Sequence, residues 1–584
     1  MPDKHPPRPR LTLNVGITGH RANVLPPEVI KDLRSCLDMV LGRLRDAVEK
    51  VHASEDLLFT GQPPVLRLHT PLATGSDQLA AESAHELGYS VRALLPFPPA
   101  EYSNDFAGDA ENRDFKSHLG AADEVFALPG ERTQEVVAYV MVGKAVMAAA
   151  DILIAVWDGQ EGNGLGGTAH VVDMAIRAAV PVVHIEIDRE AKAISGVRLL
   201  SGGDAREPEA RPLANAEDFA NLVIDTLAPH DVIERELIKA FYAEREVLTN
   251  WRIEYPLLLA IMGIKRLPVR PWQQSPISDE APDESDSHQS AYAWANFLAI
   301  RNAQLFRSGH FTNYGLSVLA VFIGLSGLLL PHLKPLLVAG ELGVICLLML
   351  NTRAGRKGEW HRRWLQYRHL AESLRPLAYL KRTSMAPPPF RNDYVEGANH
   401  RTTRADWTRW YTSAIWREMA SPTGIVTKAR IASLASAIVE EQVRPQAAYH
   451  LTNAKRMHRL DHRLHEFGNI TLGAVIAACL LYLMGSVFMT HAVKALSMPF
   501  VVVTVGLPTL GAALFGLRGH GEHLLAASRS INTVAALNAN ADRLTSAAGL
   551  DQLASEMENT AAIMLADLNE WTVSYSERSL EIPG

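Results

Sequence analysis

Four apolar runs constrain this chain more than any other feature. Residues 314–330, 336–350, 470–489 and 496–517 fall into two close pairs, the first joined only by Pro331, His332, Leu333, Lys334 and Pro335, the second by residues 490–494. Each run approaches the roughly 20 residues a helix needs to cross a bilayer, so the pattern predicts two transmembrane hairpins. Burying four such helices in a soluble core would need a shell that the flanking sequence does not supply. Arg301 and Arg307 precede the first run, Arg353, Arg356, Lys357, Arg362 and Arg363 follow the second, Lys455, Arg456, Arg459 and Arg463 precede the third, and Arg518 follows the fourth. The short turns hold only Lys334 and Lys494, so the positive-inside rule puts the N-terminal part, the middle segment and the tail on the cytoplasmic side.

A net charge of -7 over 584 residues gives no nucleic-acid footprint, and three cysteines cannot build a disulfide framework. The opening MPDKHPPRPR has no hydrophobic stretch after its basic residues, so no cleaved signal peptide is expected.

Between residues 11 and 187 about six strand-length runs (11–17, 65–70, 91–96, 124–128, 152–156 and 182–187) alternate with helical patterns at 27–51, 77–87, 109–119, 134–149 and 168–178. This alternation predicts a doubly wound parallel sheet. Three strand ends run into small-residue loops: Gly19-His20-Arg21, Gly75-Ser76-Asp77, and the glycine-rich stretch Gly162, Gly164, Gly166, Gly167 before Thr168. Loops at the carboxyl ends of parallel strands gather where ligands bind, and a glycine-rich loop at a helix start offers N–H groups to phosphate. Arg21 adds a fork of donors, and Asp77 fits a helix N-cap. In the last helix the apolar pattern turns Ala169, Val172, Ala175 and Ile176 inward. The alternative for the glycines is a tight turn that packs helix on sheet.

GITGHR (16–21), LATGSDQLAAESA (72–84), LPFPPAEYSNDF (95–106) and the segment from Trp157 through GLGGTAHVVDMA, taken together, resemble the SLOG superfamily, a Rossmann-like group that includes phosphoribohydrolases and DNA-processing proteins. The resemblance covers about the first 190 residues. It implies a pocket for a nucleotide or nucleotide derivative, with Gly19, His20, Arg21, Gly75, Ser76, Asp77, Asp158, Gly166, Gly167 and Thr168 as its binding residues. The hydrolase branch carries a glutamate where this chain has Val171, and Asp173 is no obvious substitute, which implies binding without hydrolysis.

Residues 231–250 read as a helix, the run PLLLAIMGI within 255–264 is too short to span, and the polar, acidic stretch 272–290 reads as a linker. The expected divisions are a disordered start (1–10), the nucleotide-binding α/β domain (11–230), connecting helices (231–270), the acidic linker (271–290), a first hairpin with juxtamembrane helices (291–382), a cytoplasmic middle segment (383–445), and a second hairpin with a helical tail (446–584). The hairpins look like copies of one unit, each leaving the membrane through Gly-Glu, at Gly358-Glu359 and Gly521-Glu522. Trp360, Trp364, Tyr367, Trp407, Trp410 and Tyr411 are expected to anchor the spans or pack juxtamembrane helices.

Glu359-Trp360 with Tyr367-Arg368 and Ala371-Glu372, then WTRWYTSAIWRE (407–418) and QAAYHLTNAKRMHRLDHRL (446–464), resemble the SLATT membrane effectors. That resemblance spans residues 290 to the C-terminus and implies a bacterial defence effector in the inner membrane, in which a nucleotide-derived signal drives oligomeric hairpins to permeabilise the bilayer. The expected partners are therefore a nucleotide-like small molecule, lipid and further copies of the chain, with no cofactor, no catalytic residue and no metal. His450, His458, His462 and His465 cluster, but no cysteine or paired carboxylate completes a metal site. Two alternatives are a membrane-tethered nucleotide-cleaving enzyme using Asp158 or Asp173, and a regulated channel. Glu341 is the sole acidic residue within the four apolar runs, where Gly340 and Gly343 offer a helix-packing surface.

Overall fold

A computed structural model describes residues 5–106, 108–160, 164–204, 207–229, 231–246, 252–267, 287–389, 407–488, 496–521 and 523–575. Gly162, the loop 490–494, Lys494 and Glu522 lie outside the described residues, as does most of the stretch expected to be a linker.

The strands are β1 (Thr12–Gly19), β2 (Val65–Thr70), β3 (Ser90–Leu95), β4 (Glu124–Ala127), β5 (Ile152–Trp157), β6 (Val182–Asp188), β7 (Ala193–Asp204), β8 (Glu207–Pro212) and β9 (Gly424–Ile425). They form one sheet in the order β8-β7-β6-β5-β1-β2-β3-β4-β9. Strands β1 to β6 run parallel. Helices Pro27–Ser54, Ser76–Glu86, Asp109–Ala121, Glu135–Ala149 and Thr168–Arg177 connect them, so the predicted Rossmann-like α/β class holds. In β1, Leu13, Val15 and Ile17 are fully buried and so are the alternating Thr12 and Asn14, as expected for a strand covered on both faces. The chain leaves β1 toward β2 on one side and returns with β5 on the other, which makes the β1/β5 boundary the topological switch point.

Two parts of this sheet depart from the sequence reading. Residues after Gly202, expected as loop, include the end of β7 (Ala193–Asp204) and all of β8, which pair antiparallel as a hairpin at the sheet edge. Strand β9 comes from the middle segment and pairs parallel with β4, Phe126 opposite Gly424 and Ala127 opposite Ile425.

The middle segment also docks at the amino ends of the strands through helix Trp407–Glu418. Arg417 Nε donates to Asp151 Oδ1 at 2.8 Å just before β5, Arg67 Nη1 on β2 donates to the Arg417 carbonyl at 2.9 Å, and Trp410 Nε1 donates to the Leu227 carbonyl at 2.9 Å. Trp407, Trp410 and Tyr411 therefore pack against the sheet domain rather than anchoring a span, and Trp407 also meets Tyr367 of helix Trp360–Leu374, ring centroids 6.3 Å apart, as expected of aromatics that pack juxtamembrane helices together. Trp364 keeps the expected juxtamembrane role, packed against Phe306 with ring centroids 5.6 Å apart and the planes tilted by 35°. One continuous apolar core runs from Leu11 through Trp294, Leu374, Tyr411 and Leu537 to Met564, so sheet, middle segment and tail form one body.

From this body emerge four helices long and apolar enough to cross a membrane. The first and third spans are the far ends of single helices, Ser287–Leu329 of 43 residues and Arg444–Phe488 of 45, whose near ends are part of the shared core. At 1.5 Å per residue such helices are about 65 Å long, enough to be buried at one end and cross lipid at the other. The second span belongs to Lys334–Lys357 and the fourth to Ser497–Gly521. Helices Trp360–Leu374 and His523–Thr545 follow these, and Glu359 takes a left-handed φ of 48° at the first break. The hairpins touch each other where a Cβ on Gly506 would lie 2.7 Å from the Phe322 ring and one on Gly516 2.6 Å from Tyr314. The chain is a membrane protein with a sheet domain on one side.

Candidate ligand-binding site

The carboxyl ends of β1, β2 and β5 converge at the switch point. His20 N donates to the Val156 carbonyl at 3.1 Å, and Ala22 N donates to the Thr74 carbonyl at 3.2 Å, which staples the first two loops together. Ser76 completes the staple, its hydroxyl donating to the His20 carbonyl at 2.9 Å. Gly75 makes this approach possible. Its φ is +90°, and a Cβ there would lie 2.6 Å from the Ala22 nitrogen, so any other residue would force the loops apart.

His20 and Asp158 meet across the switch point, Nε2 to Oδ1 at 3.3 Å, and Arg189 at the end of β6 closes on Asp158 Oδ2 at 2.7 Å. Burial lowers the His20 pKa more than Asp158 raises it, so the imidazole stays neutral at physiological pH. Burial works against the Asp158 carboxylate, but the Gln160 N–H, His20 and Arg189 outweigh it and hold its pKa below the ordinary value.

Arg21 leans over the Tyr139 ring, 5.3 Å from its centroid, and lies 3.5 Å from Asp105. Asp105 is a hub: it accepts from the Tyr139 hydroxyl and from Arg132 Nη1 at 2.5 Å. Arg132 is held in turn by Glu101 at 2.7 Å and by the face of Phe97, 4.2 Å from the centroid. Sequence reasoning missed Arg132 and Tyr139. Asp105 lies within the third quoted motif, but its partners come from the following turn and helix.

Tyr139 carries the contact to the glycine-rich loop. Gly166 has a φ of +85°, and a Cβ there would stand 3.0 Å from Tyr139 Cβ and 3.2 Å from the Val140 nitrogen. Its N–H donates to His170 Nδ1 at 3.1 Å. Gly167, by contrast, caps helix Thr168–Arg177 with an ordinary φ of -82°, and a Cβ there would meet only the Gly164 carbonyl at 3.8 Å. The backbone freedom expected at both glycines is needed only at Gly166. Gly167 and Thr168 sit at the rim, and no side-chain contact ties them to the other candidates among the described residues.

Asp77 is not the helix cap; Gly75 occupies that position. Asp77 is 4% exposed, and its Oδ2 accepts from Ala73 N at 3.3 Å while Oδ1 has no hydrogen-bond partner. Burial pushes its pKa up to about 7 against the pull of the Ala73 N–H and Arg21.

Val171, not Ala169, faces inward with Val172, Ala175 and Ile176, and it lies in the seam with Glu135–Ala149, where a Cβ on Gly143 would be 3.0 Å from it. Asp173 pairs with Arg177 at 2.8 Å on the outer side of its helix. A separate cavity of about 420 Å³ opens at the opposite, amino end of β5 and β6, lined by Asp151, Arg211, Arg409, Trp416 and Arg417, and contains none of the candidate residues. His465 accepts from Asn469 at 3.1 Å and lies 3.3 Å from Arg518, and among the described residues no group of three His, Cys, Asp or Glu is arranged to hold a metal ion.

Glu341 lies within the first hairpin, its carboxylate 3.2 Å from where a Cβ on Gly324 would be. The close helix approach there is made by Gly324 rather than by Gly340 or Gly343, whose positions meet nothing nearer than Ile323 at 3.9 Å.

No family model matches the chain, and neither a curated protein nor a solved structure matches it.

Proposed function

We propose that the chain is a sensor and effector of the bacterial inner membrane: a nucleotide-derived ligand binds at the β1/β5 switch point, alters how copies of the chain associate, and drives the hairpins to permeabilise the bilayer in a defence response. The observation that carries this reading is the convergence of three strand-end loops with Arg21 and Arg189 beside them at the position where open parallel sheets bind ligands. Both cations suit phosphate, and the Gly166 turn brings the start of helix Thr168–Arg177 to the same edge. Binding without turnover fits the ion pairs of the two aspartates a hydrolase would use, since Asp158 is held ionised between His20 and Arg189 and Asp173 is engaged by Arg177. The basic residues flanking the spans support a cytoplasmic sheet domain.

The test uses the full chain in nanodiscs, incubated with a nucleotide panel and read by native mass spectrometry, followed by dye leakage from liposomes with whatever is retained. A retained, chemically intact nucleotide that triggers leakage is the expected outcome. Retention without leakage would remove the effector half, release of free base at a catalytic rate would replace the sensor by an enzyme, and no retention would remove the site.

A further inference from the structure

The short helix Glu254–Ile261 sits among the near ends of all four spans. On one side Leu258 and Met262 form an apolar cluster with Leu460 and Leu464, with Phe311 and Leu514 packed against it. Just before the helix, Arg252 donates to Asn351 Oδ1 at 2.8 Å and to Thr312 Oγ1 at 3.1 Å, and pairs with Glu254 at 2.8 Å. Phe311 and Leu464 precede the first and third apolar runs, Asn351 directly follows the second, and Leu514 lies near the end of the fourth. Four contacts on four spans therefore place this helix at one depth, the membrane boundary on the side of the sheet domain.

Its other face is unlike that of a soluble helix. Leu257 and Ile261, one turn apart, are 42% and 66% exposed, and Leu267 beyond them is 40% exposed. Lys265 and Arg266, also exposed, stand between Ile261 and Leu267. Apolar side chains on the free face of a helix fixed at a bilayer boundary, followed by basic residues, match a segment lying in the headgroup region, where acyl chains take the apolar groups and anionic lipids attract the cations.

We propose that residues 254–267 form an interfacial element that joins the two hairpins on its inner face and contacts the bilayer on its outer face, with Leu257, Ile261 and Leu267 entering the acyl boundary and Lys265 and Arg266 meeting anionic headgroups. The occupant of this apolar face is lipid, because its depth continues that of the spans. The element requires only that the spans cross a membrane, so it stands or falls separately from ligand sensing.

Spin labels test it in the full chain with Cys36, Cys346 and Cys479 replaced by alanine. Ile261→Cys and, independently, Leu257→Cys are labelled in nanodiscs of phosphatidylcholine with and without phosphatidylglycerol. Both labels should collide more with oxygen than with a water-soluble nickel chelate, and more deeply when the anionic lipid is present. A label that favours the nickel chelate, or one shielded from both colliders as in a protein contact, would overturn the lipid assignment. Lys265→Gln with Arg266→Gln should bring the depth in anionic discs back to that in neutral ones. An unchanged depth in anionic discs would overturn the headgroup contact.

Discussion

Asp77 gives the sharpest quantitative test of the switch-point geometry. Its carboxyl is buried beneath the stapled loops, and its pKa is pushed up from the ordinary 3.8 to about 7. A raised acid pKa in the folded state means that the folded chain binds the proton more tightly than the unfolded chain. Stability from this group is therefore complete below about pH 4, declines as pH rises through the interval from 3.8 to about 7, and is fully lost above it. At about 1.36 kcal/mol per pKa unit the interval corresponds to roughly 4 kcal/mol. Asp77→Asn keeps the shape and an oxygen to accept from Ala73 but has no charge to desolvate. The variant should melt with the wild type at low pH and increasingly above it from pH 5 to pH 8, by several degrees at the upper end. Thermal unfolding of both proteins in the same detergent, scanned over that range, measures the difference and cancels every titration they share. A gap that stays constant with pH, or that closes toward pH 8, would refute the buried carboxylate, with Oδ1 left without a partner, on which the reasoning rests.

The remaining tests separate the other elements of the structure. Gly166→Ala forces a side chain into a left-handed turn, which costs on the order of 1–2 kcal/mol before its contacts with Tyr139 and Val140 are counted, whereas Gly167→Ala should melt within a degree of wild type; equal melting of the two would refute the turn. Asp151→Ala removes the acceptor of Arg417 Nε and of the Asn14 N–H, so a loss of about 3–5 kcal/mol in guanidinium unfolding is expected, and a loss below about 1 kcal/mol would show that the Asp151 ion pair is not what docks the middle segment. Glu341→Gln should leave expression unchanged but alter the cation preference of leakage if the carboxylate faces water between clustered hairpins; the same rate and selectivity would mark it as a residue tolerated near the hairpin turn.

How far the sequence reached follows from the range of the interactions involved. The six parallel strands were legible within about two residues because continuous apolar runs and the small residues after them are local signals. The hairpin β7 and β8 was not, since Gly196 interrupts the apolar pattern of β7 and Pro208 and Pro212 interrupt that of β8, where an edge strand tolerates proline. Strand β9 contributes two residues, too few to leave any periodicity. Helix Trp407–Glu418 meets the expected juxtamembrane partner, Trp407 facing Tyr367 with ring centroids 6.3 Å apart, but its docking on the sheet is not legible in the sequence, because that contact depends on Asp151, 266 positions away. At the site, the loop glycines were visible, but which of them needs a positive φ is decided by Tyr139, which reads as one more residue on a helix. Arg132 gave no signal because its role exists only once Asp105 and Phe97 are brought to it.

If the proposed ligand binds at the switch point, the same long-range contacts define what it would have to move. Helix Glu135–Ala149 carries Tyr139 at the site and, further along, Lys144, whose amine reaches Asp551 at 2.7 Å. Asp551 opens helix Leu550–Tyr575, which packs on His523–Thr545, the helix that follows the fourth span. This is an unbroken path of rigid elements, but contiguity supplies no free energy; a ligand biases the spans only by the difference in its affinity for their two arrangements. The Lys144–Asp551 pair is about two-fifths exposed on each side, so its own stabilisation is at most about 1 kcal/mol. Lys144→Ala should therefore barely change the melting temperature. If the path carries the signal, it should nevertheless reduce ligand-triggered leakage at unchanged ligand retention, and leakage with unchanged amplitude and rate would mean that the sheet domain acts through subunit association alone.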